Sequence, residues 1–182
     1  MKYPLIIICL FSILFFSCKS DDSRMDMPHK TILLIRHAEQ KAQSPDPPLT
    51  QEGGQRAVRI SQMLKAQPVF AVYTSQFLRT KMTAKVISIP HKLELIEYGT
   101  DDLTKLVDRL KEVPFGKMAV VVGHSNTTPV VVKLLDDKTD YPQINHDDFD
   151  QIYLVRIFED GEVRTELTNY DAYEKSLTQG QG

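Results

Sequence analysis

The stretch Thr31–Gln40, "TILLIRHAEQ", decides how the rest of the chain is read. An unbroken apolar run, Ile32 to Ile35, leads straight into Arg36 and His37. Such a run fits a short strand buried on both faces, as in a parallel sheet. A strand of that kind should not end on two groups that resist burial, because an unpaired cation at the edge of a core is costly. Either something anionic neutralises the pair or something anionic visits it.

The same pattern recurs downstream. "MAVVVGHS", Met118–Ser125, is another buried strand, and it ends on His124. "VFAVYTS", Val69–Ser75, is a third, followed within about a helical turn by Arg79. Between these strands the apolar period changes to that of helices. Ala57, Ile60 and Leu64 mark one helix face between Thr50 and Ala66, after the proline-rich loop "SPDPPLT". "FLRTKMTAKVI", Phe77–Ile87, reads as a second helix. Leu103, Leu106, Val107 and Leu110 mark a third, with Asp101 or Asp102 as its cap. "NTTPVVVKLL", Asn126–Leu135, is a fourth, with Asn126 as cap and Pro129 in the first turn. "KLELIEY", Lys92–Tyr98, alternates and reads as a strand. "QIYLVRIFE" and "EVRTELTNY" form a hairpin around Asp160-Gly161. Alternating strands and helices predict a three-layer α/β/α domain with a mostly parallel central sheet and an antiparallel C-terminal edge.

Outside this pattern lies the N-terminus. "MKYPLIIICLFSILFFSC" carries Lys2 and then an apolar run from Leu5 to Phe16, too short for a comfortable membrane span and suited to a secretory signal. Ser17-Cys18 at its end resembles the lipobox of bacterial lipoprotein signal peptides, although Phe15 stands where leucine is more usual. The expected organisation is a signal peptide over 1–17, a tether from a lipidated Cys18 over 18–29, a folded domain over 30–170 and a tail over 171–182. The expected location is an exported, membrane-anchored bacterial lipoprotein at the periplasmic face or cell surface. A cleaved signal in which Cys18 is incidental is the alternative. Both cysteines, Cys9 and Cys18, lie in this leader, so the domain offers no disulfide, cysteine nucleophile or cysteine metal site. With 22 basic and 24 acidic residues and a net charge of −2, no basic half asks for nucleic acid.

In open α/β sheets, ligands bind beyond the carboxyl ends of the strands. Three strands therefore deliver His37, His124, Arg36 and Arg79 to one rim. Two guanidiniums suit a dianionic phosphoryl group. An imidazole between them is held neutral by like-charge repulsion, and a neutral imidazole is a nucleophile. A second imidazole can hydrogen-bond a phosphoryl oxygen and stabilise its charge.

"LIRHAE", "LTQEGGQRA", "YTSQFLRTKMTA" and "VVGHSNTTPV", in that order, resemble the successive motifs of the histidine phosphatase superfamily, with its phosphoglycerate-mutase-like fold. The resemblance spans most of Thr31–Phe158. It implies that His37 is the phosphorylated nucleophile, that Arg36 and Arg79 clamp the phosphoryl group, and that His124 completes the pocket. It implies no cofactor and no metal. The implied partner is a small phosphorylated substrate or a phosphoprotein. Ser75 and Glu39 lie inside the motifs without an assigned role. His29, His91 and His146 read as surface residues.

The sequence departs from the family at the general acid. Many members carry a glutamate before a glycine, but counting back from Gly99 the matching position is Leu95. Asp101, Asp102 and Glu94 remain as candidates for that acid. Alkyl phosphates need such an acid, whereas phosphoramidates and aryl phosphates need it less. A small phosphatase is therefore favoured over a mutase. Two other readings remain: a catalytically weak phosphate-binding module on a lipid anchor, and a metallohydrolase. The second is disfavoured because two arginines repel a divalent ion.

Overall fold

The computed structural model describes residues 27–42, 45–138 and 140–179. The signal peptide, Cys18 and the tether as far as residue 26 lie outside the described residues. Six strands form one sheet: β1 (His29–Arg36), β2 (Val69–Ser75), β3 (Leu95–Tyr98), β4 (Met118–Gly123), β5 (Gln151–Phe158) and β6 (Val163–Asn169). Their order across the sheet is β3-β2-β4-β1-β5-β6. β1, β2, β3 and β4 run parallel, and the β5–β6 hairpin is antiparallel.

The apolar run of β1 serves both faces of the sheet. Ile32 and Leu34 pack on one side with α3 (Thr104–Lys111) and α4 (Thr127–Leu135). Leu33 and Ile35 pack on the other with α1 (Gln51–Leu64), α2 (Leu78–Ser88) and α5 (Tyr170–Gln179). Each such side chain stabilises the fold by about 1.5–3 kcal/mol. This is why β1 reads as continuous rather than alternating. The expected three layers are present.

Local chemistry sets the element ends. The Thr50 side chain accepts from the Gly53 amide and caps α1. Gly53 is required there for closeness, because a Cβ would fall 2.9 Å from the Glu39 backbone nitrogen. Gly161 takes φ +83° in the β5–β6 turn. β3 is shorter than expected because Lys92 adopts φ 56° and ends a 3-10 turn before the strand begins.

The segment expected to be a tail is instead α5. Its Tyr170 and Tyr173 are buried against the sheet, which ties this end of the chain to the core. Two tyrosines three apart among polar residues give too narrow an apolar stripe for the period to show.

Candidate active site

Arg36 ends β1 and aligns in register with Gly123 at the end of β4, so the residues that follow, His37 and His124, emerge side by side. Their ring centres are 5.4 Å apart. Arg79, near the N-terminus of α2, reaches both: its Nε donates to His37 Nε2 at 3.2 Å and its Nη2 to His124 Nδ1 at 3.3 Å. The structure thus brings all four expected residues to one cavity of about 360 Å³. Gln40, Thr100 and the Ser125–Thr127 turn complete its lining. The N-terminus of α4 opens at this turn, and the partial positive charge of its first amides favours an anion.

The two imidazoles are held in opposite tautomers. His37 Nδ1 donates to the Ala38 carbonyl at 2.8 Å, so Nε2 keeps its lone pair toward the cavity. His124 accepts at Nδ1 from Arg79, so its proton is on Nε2, which donates to Ser75 Oγ at 2.9 Å. Ser75 continues to Thr80 Oγ1 at 2.8 Å, and Thr80 donates to the Phe77 carbonyl at 2.8 Å. Ser75 and Thr80 are fully buried, so this chain is shielded from water.

Burial and charge together keep both rings neutral. His37 is 3% exposed and His124 7%. Burial, reinforced by Arg36, His124 and Arg79, pulls the His37 pKa down to about 3 against the opposing pull of the Ala38 carbonyl. Burial and then the two arginines pull His124 down to about 4.

Arg36 is 4% exposed and touches no carboxylate in this arrangement. Its Nη1 donates to the carbonyls of Asn145, His146 and Asp148 at 3.0, 2.7 and 3.1 Å. Phe149 lies over the guanidinium at 4.1 Å. The Arg36 Nε is buried without a partner among the described residues. A buried donor left unmet is costly and marks where an anion would be welcome. Arg79 is steadied by Phe77, 4.7 Å from its ring centre, and by Asp46 at 3.6 Å. Asp46 also accepts from the Leu78 amide at 2.9 Å, capping α2.

The three candidate acids lie elsewhere. Asp102 Oδ1 accepts from the Thr104 amide at 3.1 Å, which caps α3. Asp101 lines a separate depression beside Glu97 and Arg109. Glu94 is exposed ahead of β3, at the end of the sheet away from the rim. No carboxylate lines the cavity among the described residues.

Other expectations shift. Asn126 stands at the N-cap position of α4, but its side chain makes no capping bond and lines the cavity instead. His146, read as a surface residue, is exposed yet forms the cavity rim. Glu39 pairs with Arg56 at 2.6 Å, and the guanidiniums that line the cavity are those of Arg36 and Arg79. Sequence reasoning missed Phe149, Phe77, Thr80 and the 145–148 carbonyls. Backbone carbonyls leave no trace in residue identity. Ser75 carried a signal, as a hydroxyl at the carboxyl end of a strand.

Residues 32–121 match the family model described as histidine phosphatase superfamily (branch 1). Among solved structures, the protein histidine phosphatase SixA complexed with tungstate is 17% identical, over 81% of this chain and 99% of that chain, with a TM-score of 0.59. A putative alpha-ribazole-5'-P phosphatase from Escherichia coli is 16% identical over 77% and 96%, with a TM-score of 0.61. A phosphoglycerate mutase from Plasmodium falciparum is 21% identical over 76% and 89%, with a TM-score of 0.55. These likenesses are of fold. No curated protein matches the chain.

Proposed function

The chain belongs to the histidine phosphatase superfamily, and on that premise we propose that it is a phosphatase that hydrolyses a phosphomonoester or phosphoramidate through a phosphohistidine on His37. The observation that carries this reading is the His37 ring: neutral, with Nδ1 tied to its own chain and the Nε2 lone pair turned into a cavity with two guanidiniums.

Arg79 Nε stands 3.2 Å from that lone pair. In-line attack needs phosphorus at about 3–3.5 Å from it. The phosphoryl group therefore takes the place of Arg79 on the imidazole, and Arg79 turns to the phosphoryl oxygens. Arg36 Nε supplies the unmet donor. The dianion raises the His124 pKa, Nδ1 gains a proton, and the ring becomes a donor to a phosphoryl oxygen. The Ser75 contact keeps Nδ1 facing the cavity. The bond from phosphorus to the leaving atom breaks as the P–Nε2 bond forms. Water then attacks phosphorus and releases His37. With no carboxylate lining the cavity among the described residues, substrates whose leaving group departs without a strong acid are favoured: phosphoramidates and aryl phosphates.

The test is to mix the purified protein with an aryl phosphate, quench in base and locate the phosphoryl group. It should sit on the peptide holding His37, stable in alkali and labile in acid. Label that survives His37→Ala would overturn the mechanism. The missing carboxylate also favours a second reading, a phosphate-binding module with little turnover. Tight phosphate binding without hydrolysis of any phosphorylated compound would select it. Membrane attachment through Cys18 is a further proposal: Cys18→Ala should abolish labelling by a fatty-acid probe, and equal labelling of both proteins would remove it.

A further inference from the structure

The phosphoryl cavity adjoins a broader groove of about 1140 Å³. His146 lines both. Phe149 lines the groove, and its ring centre lies 4.1 Å from the Arg36 guanidinium and 6.1 Å from the His37 ring centre, so it is the wall between them.

The two compartments have opposite charge. The cavity lining carries two guanidiniums and no carboxylate among the described residues. The groove lining carries Glu39, Glu52, Asp147, Asp148 and Asp150 against the single cation Arg56. That cation is already engaged by Glu39 and Asp150. Among the described residues, the carboxylates of Glu52, Asp147 and Asp148 form no ion pair with a lysine or arginine, although those of Asp147 and Asp148 act on Arg36 through space. Asp147 contacts the His146 ring at 3.3 Å.

Size also describes the missing occupant, the groove measuring about 1140 Å³ and the cavity about 360 Å³. Small-molecule sites measure roughly 300–1,000 Å³, a range that holds the cavity but not the groove.

We propose that the substrate is a basic polypeptide segment: its phosphorylated residue enters the cavity while neighbouring lysine or arginine side chains lie along the acidic groove. This rests on the phosphatase reading and names its substrate class. The bond between phosphorus and the side-chain nitrogen or oxygen breaks as the P–Nε2 bond to His37 forms. The leaving atom keeps the electron pair and takes a proton from water. A second water then frees inorganic phosphate.

The experiment compares two phosphohistidine peptides of equal length on the full-length protein, one flanked by lysine and arginine and one by aspartate and glutamate. p-Nitrophenyl phosphate, too compact to reach the groove, is the control. The basic peptide should have a kcat/KM roughly tenfold or more above the acidic one at low salt, the gap closing as salt screens it. Glu52→Lys combined with Leu167→Lys, both on the groove lining and away from the cavity, should invert the order and leave p-nitrophenyl phosphate turnover unchanged. The neutral pair Glu52→Gln/Leu167→Gln should fall between, and guards against a folding defect. Equal rates on the two peptides, with the control intact, would overturn the groove assignment and leave the phosphatase reading standing. Phosphocholine turned over as well as the basic peptide would overturn the polypeptide part. If nothing is hydrolysed, the phosphatase reading fails by itself. Anisotropy of the unphosphorylated basic peptide then decides the groove: weaker binding to the lysine pair supports it, and equal binding removes it.

Discussion

β1 and β4 are neighbours in register, each followed directly by a histidine, yet those histidines offer opposite ring nitrogens to the same cavity. His37 is fixed by one bond to its own backbone, the Ala38 carbonyl. His124 is fixed by a chain of side chains through Ser75 and Thr80, borrowed from β2 and α2. Local fixing leaves Nε2 free, and fixing at a distance leaves Nδ1 free. Identical residues on equivalent strand ends thus acquire different chemistry from what ties the far side of each ring.

The most severe way to break this pairing is to remove the proposed nucleophile. His37→Ala should lower turnover of an aryl phosphate by roughly 10³-fold or more. His124→Ala should cost less, on the order of 10²- to 10³-fold, as expected for one lost donor to developing charge. Steady-state kinetics on both proteins check the order. If His124 costs more than His37, the roles are exchanged.

Next come the arginines. Arg36→Ala or Arg79→Ala should weaken vanadate binding roughly ten- to a hundredfold, from the loss of a charge-assisted contact worth about 1.5–3 kcal/mol. Arg59→Ala should leave it unchanged, because Arg59 bridges Asp171 and Glu174 on the surface. Equal losses at Arg36 and Arg59 in a binding titration would place the anion elsewhere.

A smaller effect sharpens the tautomer argument. Ser75→Ala frees His124 Nε2 to turn, and should lower kcat by roughly tenfold, within the usual worth of positioning and proton control. The loss should fall on kcat more than on KM, while the phosphorylated His37 peptide still forms. An unchanged kcat would show that Ser75 is only packing.

pH acts on both rings together. Their folded pKa values, about 3 and about 4, lie below the ordinary value of 6.5. Between 6.5 and 4 the unfolded chain binds protons that the folded one refuses, so stability falls as pH falls across that window and is fully present above it. Denaturant midpoints between pH 7 and 4 should therefore decline, and decline less in His124→Ala. The aryl phosphatase activity of the free enzyme should not show an acid limb near 6.5 from His37. A limb there would mean that His37 is ordinary in solution.

The least effect belongs to Phe149. Phe149→Ala removes the ring over Arg36 but none of the three carbonyls that hold it, so KM should rise only severalfold, in line with a cation–π contact of about 0.5–2 kcal/mol. A larger change would mean that the ring positions the 145–148 loop as well.

The sequence alone determined that strands and helices alternate, that β1 and β4 are buried on both faces, and that two histidines and two arginines reach one rim. Those properties follow from apolar periodicity and from where a strand stops, both written in residue order. Tertiary structure decided the rest. Arg36 is held by carbonyls of the 145–148 loop, which side-chain identity does not encode. Asp102 caps a helix instead of facing the substrate, because α3 begins two residues later. Which nitrogen of each histidine faces the cavity depends on partners as distant in sequence as Ser75 and His124, 49 positions apart. Groups that distant in the chain meet only when the sheet closes, so local pattern places the imidazoles and packing assigns their chemistry.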